Sequence, residues 1–155
     1  MLGVDPGASG AIAVLRPGEL PVVMDMPVGK ITVGKTERDR ISPQMLAVAL
    51  WDQLPVDVAY VEEVTAMPRQ GVSSVFTFGQ AHGMVLGALA QIGVRIVRIR
   101  PQVWQATVSA RGDPRVRALE LYPGLSKALI RKKDEGRADA VLIAHAGLIL
   151  EGKTK

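Results

Sequence analysis

The residues of this chain best suited to chemistry are acids that close short apolar segments. Asp5 ends the alternating stretch Leu2-Gly3-Val4-Asp5 and is followed at once by Pro6, Gly7, Ser9 and Gly10. Glu62 and Glu63 end a second segment, VDVAYVEEV at 56–64, and Asp139 falls in the first turns of a third, ADAVLIAHAGLIL. Taken singly each has an ordinary explanation. Asp5-Pro6-Gly7 is turn chemistry, the glutamates suit a solvated strand end, and Asp139 suits the positive end of a helix dipole. Together they suggest a site. A carboxylate among apolar neighbours is costly unless it is paired or metal-bound, and no basic residue lies near Asp5 in sequence, Arg16 being at the far end of its hairpin. Converging carboxylates repel unless they are protonated or bridged by cations. With no cysteine and only His82 and His145, an all-oxygen site points to Mg²⁺, with Mn²⁺ as a substitute. Two such ions about 4 Å apart activate a water and stabilise the leaving oxygen in phosphodiester cleavage.

The acids converge only if the intervening elements place them so. At 155 residues and 48% hydrophobic content the chain suits one globular domain over 1–155, with residues 151–155 as a polar tail expected to fray. Aromatics supply only 4%, so the core must rest on aliphatic residues and Met. Absence of cysteine removes disulfides, Cys-ligated zinc and thiol catalysis, and suits a reducing cytoplasm. No signal peptide and no run long enough to span a membrane is evident. The net charge of +4 fits a nucleic-acid partner without requiring one.

Alternation and turn residues predict strands at 2–5, 11–15 and 21–26. Residues 27–41 are polar, with Lys30, Lys35, Arg38 and Arg40 among few acids, and read as a mobile loop or an extended hairpin, either solvated or a basic arm. Ser42-Pro43 is an N-cap followed by Pro at the first helical position, starting a helix to about residue 54. A fourth strand at 56–64 and a loop at 65–74 follow. A long helix then runs over roughly 73–92, with Gly79, Gly83 and Gly87 on one face. Glycine costs about 1 kcal/mol against alanine in a helix interior, so the stripe implies close approach by another backbone. The sheet of the same chain is the first candidate and a partner helix the second. A fifth strand at 94–99, a short helix from Pro101, helical turns at 116–121 and a final helix beyond Gly136 complete the chain. The order predicts an α/β fold with a five-stranded mixed sheet, three antiparallel strands and then two running parallel to the first. Asp5 and Glu62 then meet at the carboxyl edge, where open α/β sheets bind ligands.

Several stretches resemble the RuvC-type Holliday-junction resolvases, within the RNase H-like nuclease superfamily. They are LGVDPGASGAIAV at the start, YVEEV, FTFGQAHG from Phe76, RPQVWQ from Arg100 and KKDEGRADAVLIAHAG from Lys132. They occur in the family's order and cover nearly the whole chain; the last is most similar to the phage and chloroplast branch. The resemblance implies an RNase H-like fold and a metal-dependent nuclease that cuts four-way DNA junctions by paired nicks. It also implies a homodimer, two Mg²⁺ ions per site and the tetrad Asp5, Glu62, Asp134 and Asp139. Helical geometry instead places Glu135 on the face of Asp139, which makes it the second choice for the fourth acid. Two positions depart from the family. Gln105 stands where phage members commonly have a lysine, leaving Lys132 or Lys133 to replace it. Thr65 stands where some bacterial members carry a wedging aromatic, leaving Met67 or another side chain for that task.

Expected DNA contacts are Arg69, Gln70, Lys132, Lys133 and Arg137, as positions that fix register on phosphates. Trp104 and Phe78 are assigned to the core, and His82 and His145 to structural roles. An actin-like or sugar-kinase protein also opens on an acidic glycine-rich hairpin, but needs a second phosphate hairpin and more chain. A non-catalytic junction-binding protein would not need the complete acid set. The stronger rival is a related nuclease acting on flaps, forks or RNA–DNA hybrids. The expected setting is the cytoplasm of a bacterial or phage-infected cell, ahead of a chloroplast.

Overall fold

A computed structural model of the chain describes residues 1–65 and 69–154. Its centre is a five-stranded sheet built from β1 (Leu2–Asp5), β2 (Ala11–Val14), β3 (Val22–Asp25), β6 (Val58–Glu62) and β7 (Arg95–Ile99). The spatial order is β3-β2-β1-β6-β7. β1 pairs antiparallel with β2, and β2 antiparallel with β3, whereas β6 runs parallel to both β1 and β7. This is the mixed sheet that the order of elements predicts.

Side chains alternate across the sheet and build two cores. Leu2, Val4, Ile12, Val14, Ala59 and Val61 face α1 (Pro43–Trp51) and α2 (Val72–Gln91), meeting Leu46, Leu50, Ala81, Val85 and Leu89. The opposite face, with Ala11, Ala13, Val58 and Tyr60, is covered by α3 (Pro101–Thr107), α4 (Pro114–Leu121) and α5 (Glu135–Leu150). α5 is buried along most of its length, which is why its sequence is apolar all round. No helix among the described residues is long and apolar enough to cross a membrane.

Local chemistry sets the boundaries. The Ser42 hydroxyl accepts the Met45 N–H at 3.4 Å and caps α1. That helix stops at Trp51, short of residue 54, because Gln53 and Leu54 turn back onto the Leu50 and Trp51 carbonyls. Residues 27–41 form the extended-hairpin alternative: β4 (Val28–Val33) and β5 (Thr36–Ile41) make a separate two-stranded sheet, tied to α2 where the Arg40 guanidinium donates to Thr77 Oγ1 at 3.2 Å.

Three expectations need correction. The Gly79-Gly83-Gly87 stripe does not pack on the sheet; the buried face of α2 is Ala81-Val85-Leu89, and a Cβ at any of the three glycines would meet nothing within 4 Å. Phe78 is 42% exposed rather than in the core, since it lies outside that buried stripe. The start of the tail does not fray: Glu151 accepts from the Tyr60 hydroxyl at 3.0 Å and pairs with Arg95 at 2.6 Å.

Backbone contact does occur elsewhere, between α5 and the first hairpin. A Cβ on Gly3 would fall inside the Ala140 carbonyl oxygen and the Ala144 amide nitrogen. One on Gly136 would lie 2.6 Å from the Ser9 carbonyl oxygen, and one on Gly10 would lie 2.7 Å from Asp5 Cγ. Gly3 and Gly136 let the final helix rest directly on β1 and its turn, and Gly10 lets the returning strand close on Asp5.

Candidate active site

The register of β1 and β6 runs Leu2–Ala59, Gly3–Tyr60, Val4–Val61. One step further along both strands puts Asp5 abreast of Glu62 at the carboxyl edge. Alternation turns both toward the face on which Gly3 and Tyr60 meet α5. Asp139 lies one turn into α5, whose first turn is seated on the 8–10 turn through Gly136.

The three carboxyls feel one another. Burial and the charges of Asp5 and then Glu62 push the Asp139 carboxyl up to about 7, with Glu135 and Asp113 adding to the effect. Burial likewise raises Glu62, opposed by its bond to Trp104 and assisted by Asp5. Asp5 is raised by burial against the pull of the Gly7 N–H, which donates to its Oδ1 at 3.3 Å. No salt bridge reaches Asp5, Glu62 or Asp139 among the described residues. The cluster therefore carries negative charge without a cationic side chain to balance it.

Glu62 has a partner that the sequence assigned only to the core. Trp104 is buried and its indole N–H donates to Glu62 Oε1 at 2.9 Å. The sequence placed Trp104 in the core; its position beside the second acid and its donor role were not legible. Glu63 points away from the cluster and pairs with Arg100 at 3.4 Å.

Asp134 and Glu135 differ sharply. Asp134 is 2% exposed and sits in the 3-10 turn Lys132–Asp134, where its carboxylate accepts the Arg131 backbone N–H at 2.7 Å and the Arg131 guanidinium at 2.8 Å. That guanidinium holds its carboxyl down at about 2. Asp134 is absent from the charges acting on Asp139, whereas Glu135, exposed in the first turn of α5, is among them.

The expected DNA contacts are likewise separated. Lys132 and Lys133 are exposed beside the entry to α5, and Arg69 is exposed with a left-handed φ of 67° just beyond the second acid's loop. Gln70 is half-buried next to it. Arg137 instead grips both oxygens of Asp25 at 2.6 Å and donates to the Ala128 carbonyl at 3.1 Å. Gln105 is exposed on α3 next to Trp104, and Met67 lies outside the described residues. Neither histidine touches the cluster. His145 shares a 2.7 Å hydrogen bond with the Tyr122 hydroxyl, and burial holds His82 below the usual imidazole range.

Asp5, Glu62 and Asp139 form an all-oxygen donor set, which in its chemistry fits a hard divalent cation. As they stand, no three Asp, Glu or His side chains among the described residues are close enough to hold one ion. Ligation would therefore involve side-chain rotation. Such rotation is open to carboxyls whose restraints among the described residues are the Gly7 N–H and the Trp104 N–H.

Comparison with known proteins adds to this geometry. No family model matches the chain. It is 29% identical over 151 residues to a Chloroflexus aggregans protein named crossover junction endodeoxyribonuclease RuvC, covering 94% of this chain and 91% of that one. A Chloroflexus aurantiacus protein of the same name is 29% identical over 154 residues, with the same coverage. Among solved structures, Thermus thermophilus RuvC in complex with a Holliday junction substrate superposes with a TM-score of 0.62, at 16% identity, over 100% of this chain and 99% of that one. A second Thermus thermophilus RuvC structure gives the same TM-score at 15% identity. The fold is RNase H-like, as in the Thermus thermophilus RuvC structures, and along nearly its whole length the chain is similar in sequence to proteins named RuvC.

Proposed function

We propose that this protein is a metal-dependent, structure-selective endodeoxyribonuclease that resolves four-way DNA junctions. The observation that carries the reading is the unbalanced carboxylate cluster at the carboxyl edge of β1 and β6, with Asp139 pushed up to about 7 by its neighbours. The names of the similar Chloroflexus proteins and the junction bound to the Thermus protein supply the substrate class.

In this proposal Asp5, Glu62 and Asp139 hold Mg²⁺, two ions per site, and Mn²⁺ substitutes. Glu135 is the favoured fourth ligand because its charge reaches Asp139, and Asp134 the alternative because the resemblance points to it. When bound, the metal supplies a water of lowered pKa and charge stabilisation at the phosphodiester. The chain's own residues do the positioning: the Trp104 N–H orients Glu62, the Gly7 N–H orients Asp5, and Gly10 and Gly136 let the turn and the start of α5 close against Asp5. Lys132, Lys133, Arg69 and Gln70 are the proposed phosphate contacts; Arg137, gripped by Asp25, supports the entry to α5 instead. Paired nicks need two sites. The exposed Gly79-Gly83-Gly87 face of α2, open to close approach by another backbone, is proposed to join two copies of one nuclease domain spanning 1–155. A cytoplasmic setting accords with the cysteine-free chain.

The test is cleavage of an immobile four-way junction, a flap, a linear duplex and an RNA–DNA hybrid in Mg²⁺, Mn²⁺ or EDTA. Symmetric nicks on the junction alone are expected, and Asp5→Asn should abolish cutting while junction binding persists. Cleavage that survives EDTA would overturn the metal mechanism. Preferential cutting of flaps or hybrids would overturn the substrate.

A further inference from the structure

A cleft of about 600 Å³ opens beside the acid cluster and is not part of it. One wall is the β4–β5 hairpin, the other is α2, and the inner end is the 8–10 turn together with the entry to α5. Its apolar surface comes from Met26, Ile41 and Met84, with Phe78 exposed at 42% on the α2 wall. Such a volume falls within the roughly 300–1,000 Å³ range of sites that take small molecules.

The charges around this cleft do not cancel as a residue count suggests. Asp25, Asp39 and Asp134 line it, but each is already engaged, by Arg137, Lys30 and Arg131 respectively. Among the described residues Arg40 bonds to two neutral oxygens, the Asp39 carbonyl and Thr77 Oγ1, and neither it nor Lys133 has an ion pair. Arg40 and Phe78 also line an adjoining hollow of about 130 Å³, together with Arg38, Ser73 and Ser74. The cleft thus joins an aromatic and methionine surface to cations that lack acidic partners, within reach of the turn that carries Asp5.

A base still stacked in a duplex offers only its edges, so an apolar cleft of this kind matches a base taken out of the stack. Stacking on an aromatic ring with phosphates on nearby cations is the usual chemistry of single-stranded recognition. We propose that the cleft seats one unpaired nucleotide of the bound DNA strand, its base against Phe78 and its phosphates on Arg40 and Lys133. The inference rests on the nuclease reading and extends it: the strand at the acids would be held open beside the cut.

Two measurements test it separately from that reading. The first is anisotropy of a 5′-labelled ten-nucleotide oligo(dT). Phe78→Ala and Arg40→Gln should each weaken binding by about ten-fold, the scale of one base–aromatic contact. Glu19→Gln, exposed and outside the lining of the cleft, should leave it unchanged, and all three variants should keep the parent melting curve. The second uses Asp5→Asn protein and junctions carrying 2-aminopurine at one position at a time near the crossover. One position should brighten several-fold on binding, and adding Phe78→Ala should remove that signal. Oligo(dT) affinity unaffected by Phe78→Ala, or no brightening at any position of a bound junction, overturns the cleft. If the junction is neither bound nor cut while oligo(dT) binding depends on Phe78, the junction reading fails and the cleft stands.

Discussion

The bond from the Trp104 indole N–H to Glu62 Oε1, at 2.9 Å, is the contact whose removal is most informative. Trp104→Phe keeps an aromatic in a site that is only 2% exposed and deletes the donor. A hydrogen bond to an ionised acceptor contributes about 1.5–3 kcal/mol, and each 1.4 kcal/mol is about a factor of ten. The variant should therefore lose about ten- to a hundred-fold in single-turnover junction cleavage at low Mg²⁺. The direction with pH follows from the same contact. Burial raises the Glu62 carboxyl and the indole lowers it, so removing the indole lets it rise further. The acid limb of the rate profile should move to higher pH, and the Mg²⁺ midpoint to higher concentration. Raising both together should restore part of the lost rate. Trp104→Ala serves as the contrast, since loss of a buried Trp costs about 3–5 kcal/mol of stability by itself. A Trp104→Phe protein with the wild-type pH profile and Mg²⁺ midpoint, and an unchanged melting temperature, would show that the indole does not position Glu62.

Three further outcomes follow from the site and its supports. Glu135→Gln should slow cutting at least about ten-fold, one lost charged contact, at unchanged melting temperature; Asp134→Asn should instead lower the melting temperature by removing the Arg131 bonds. The reverse pattern in cleavage and calorimetry would favour Asp134 over Glu135 as the fourth ligand. Gly136→Ala places a methyl 2.6 Å from the Ser9 carbonyl oxygen and should cost about 1–3 kcal/mol as well as activity, whereas Gly83→Leu, facing open space, should spare monomer stability and shift sedimentation toward monomer. A Gly136→Ala protein as stable and active as the parent would refute the close contact, and a dimer unchanged by Gly83→Leu would exclude that face. For Asp139 the folded carboxyl is raised from 3.8 to about 7. The folded state therefore holds a proton that the unfolded chain has released, and metal-free stability should fall as pH rises from about 4 to about 7. Asp139→Asn should flatten that slope in calorimetry, and a parent curve already as flat as the variant's would sink the argument.

The sheet was legible because its cause is local. Alternation in Leu2–Asp5 and Val58–Glu62, with Pro and Gly at the turns, states the strands, and their order leaves few ways to pair them. Asp5, Glu62 and Asp139 followed from that topology. What remained hidden depended on which side of an element a residue faces in three dimensions. The α2 glycines resembled a packing stripe, but the periodicity of Ala81, Val85 and Leu89 competes for the sheet, and bulk won. The separation of Asp134 from Glu135 turned on Arg131 reaching back to cap the helix entry, a contact between neighbours that periodicity does not encode. Arg137 looked like a free cation until Asp25, far away in sequence, came to lie against it.

The seat of α5 on the first hairpin has a consequence for how this protein can change over evolutionary time. Gly3 and Gly136 bring the main chain of α5 against that of the hairpin, and Gly10 closes the hairpin on Asp5, so the placement of Asp139 over Asp5 is set by peptide groups rather than by the volumes of core side chains. Aliphatic residues elsewhere can be exchanged for others of similar bulk without moving the two acids apart. A library that shuffles Val, Ile and Leu through both cores should consequently return many active clones. One that adds a single methyl at any of these three glycines should return few. Drift in the interior and constancy at the reaction centre are then compatible in one small domain, because different atoms control them.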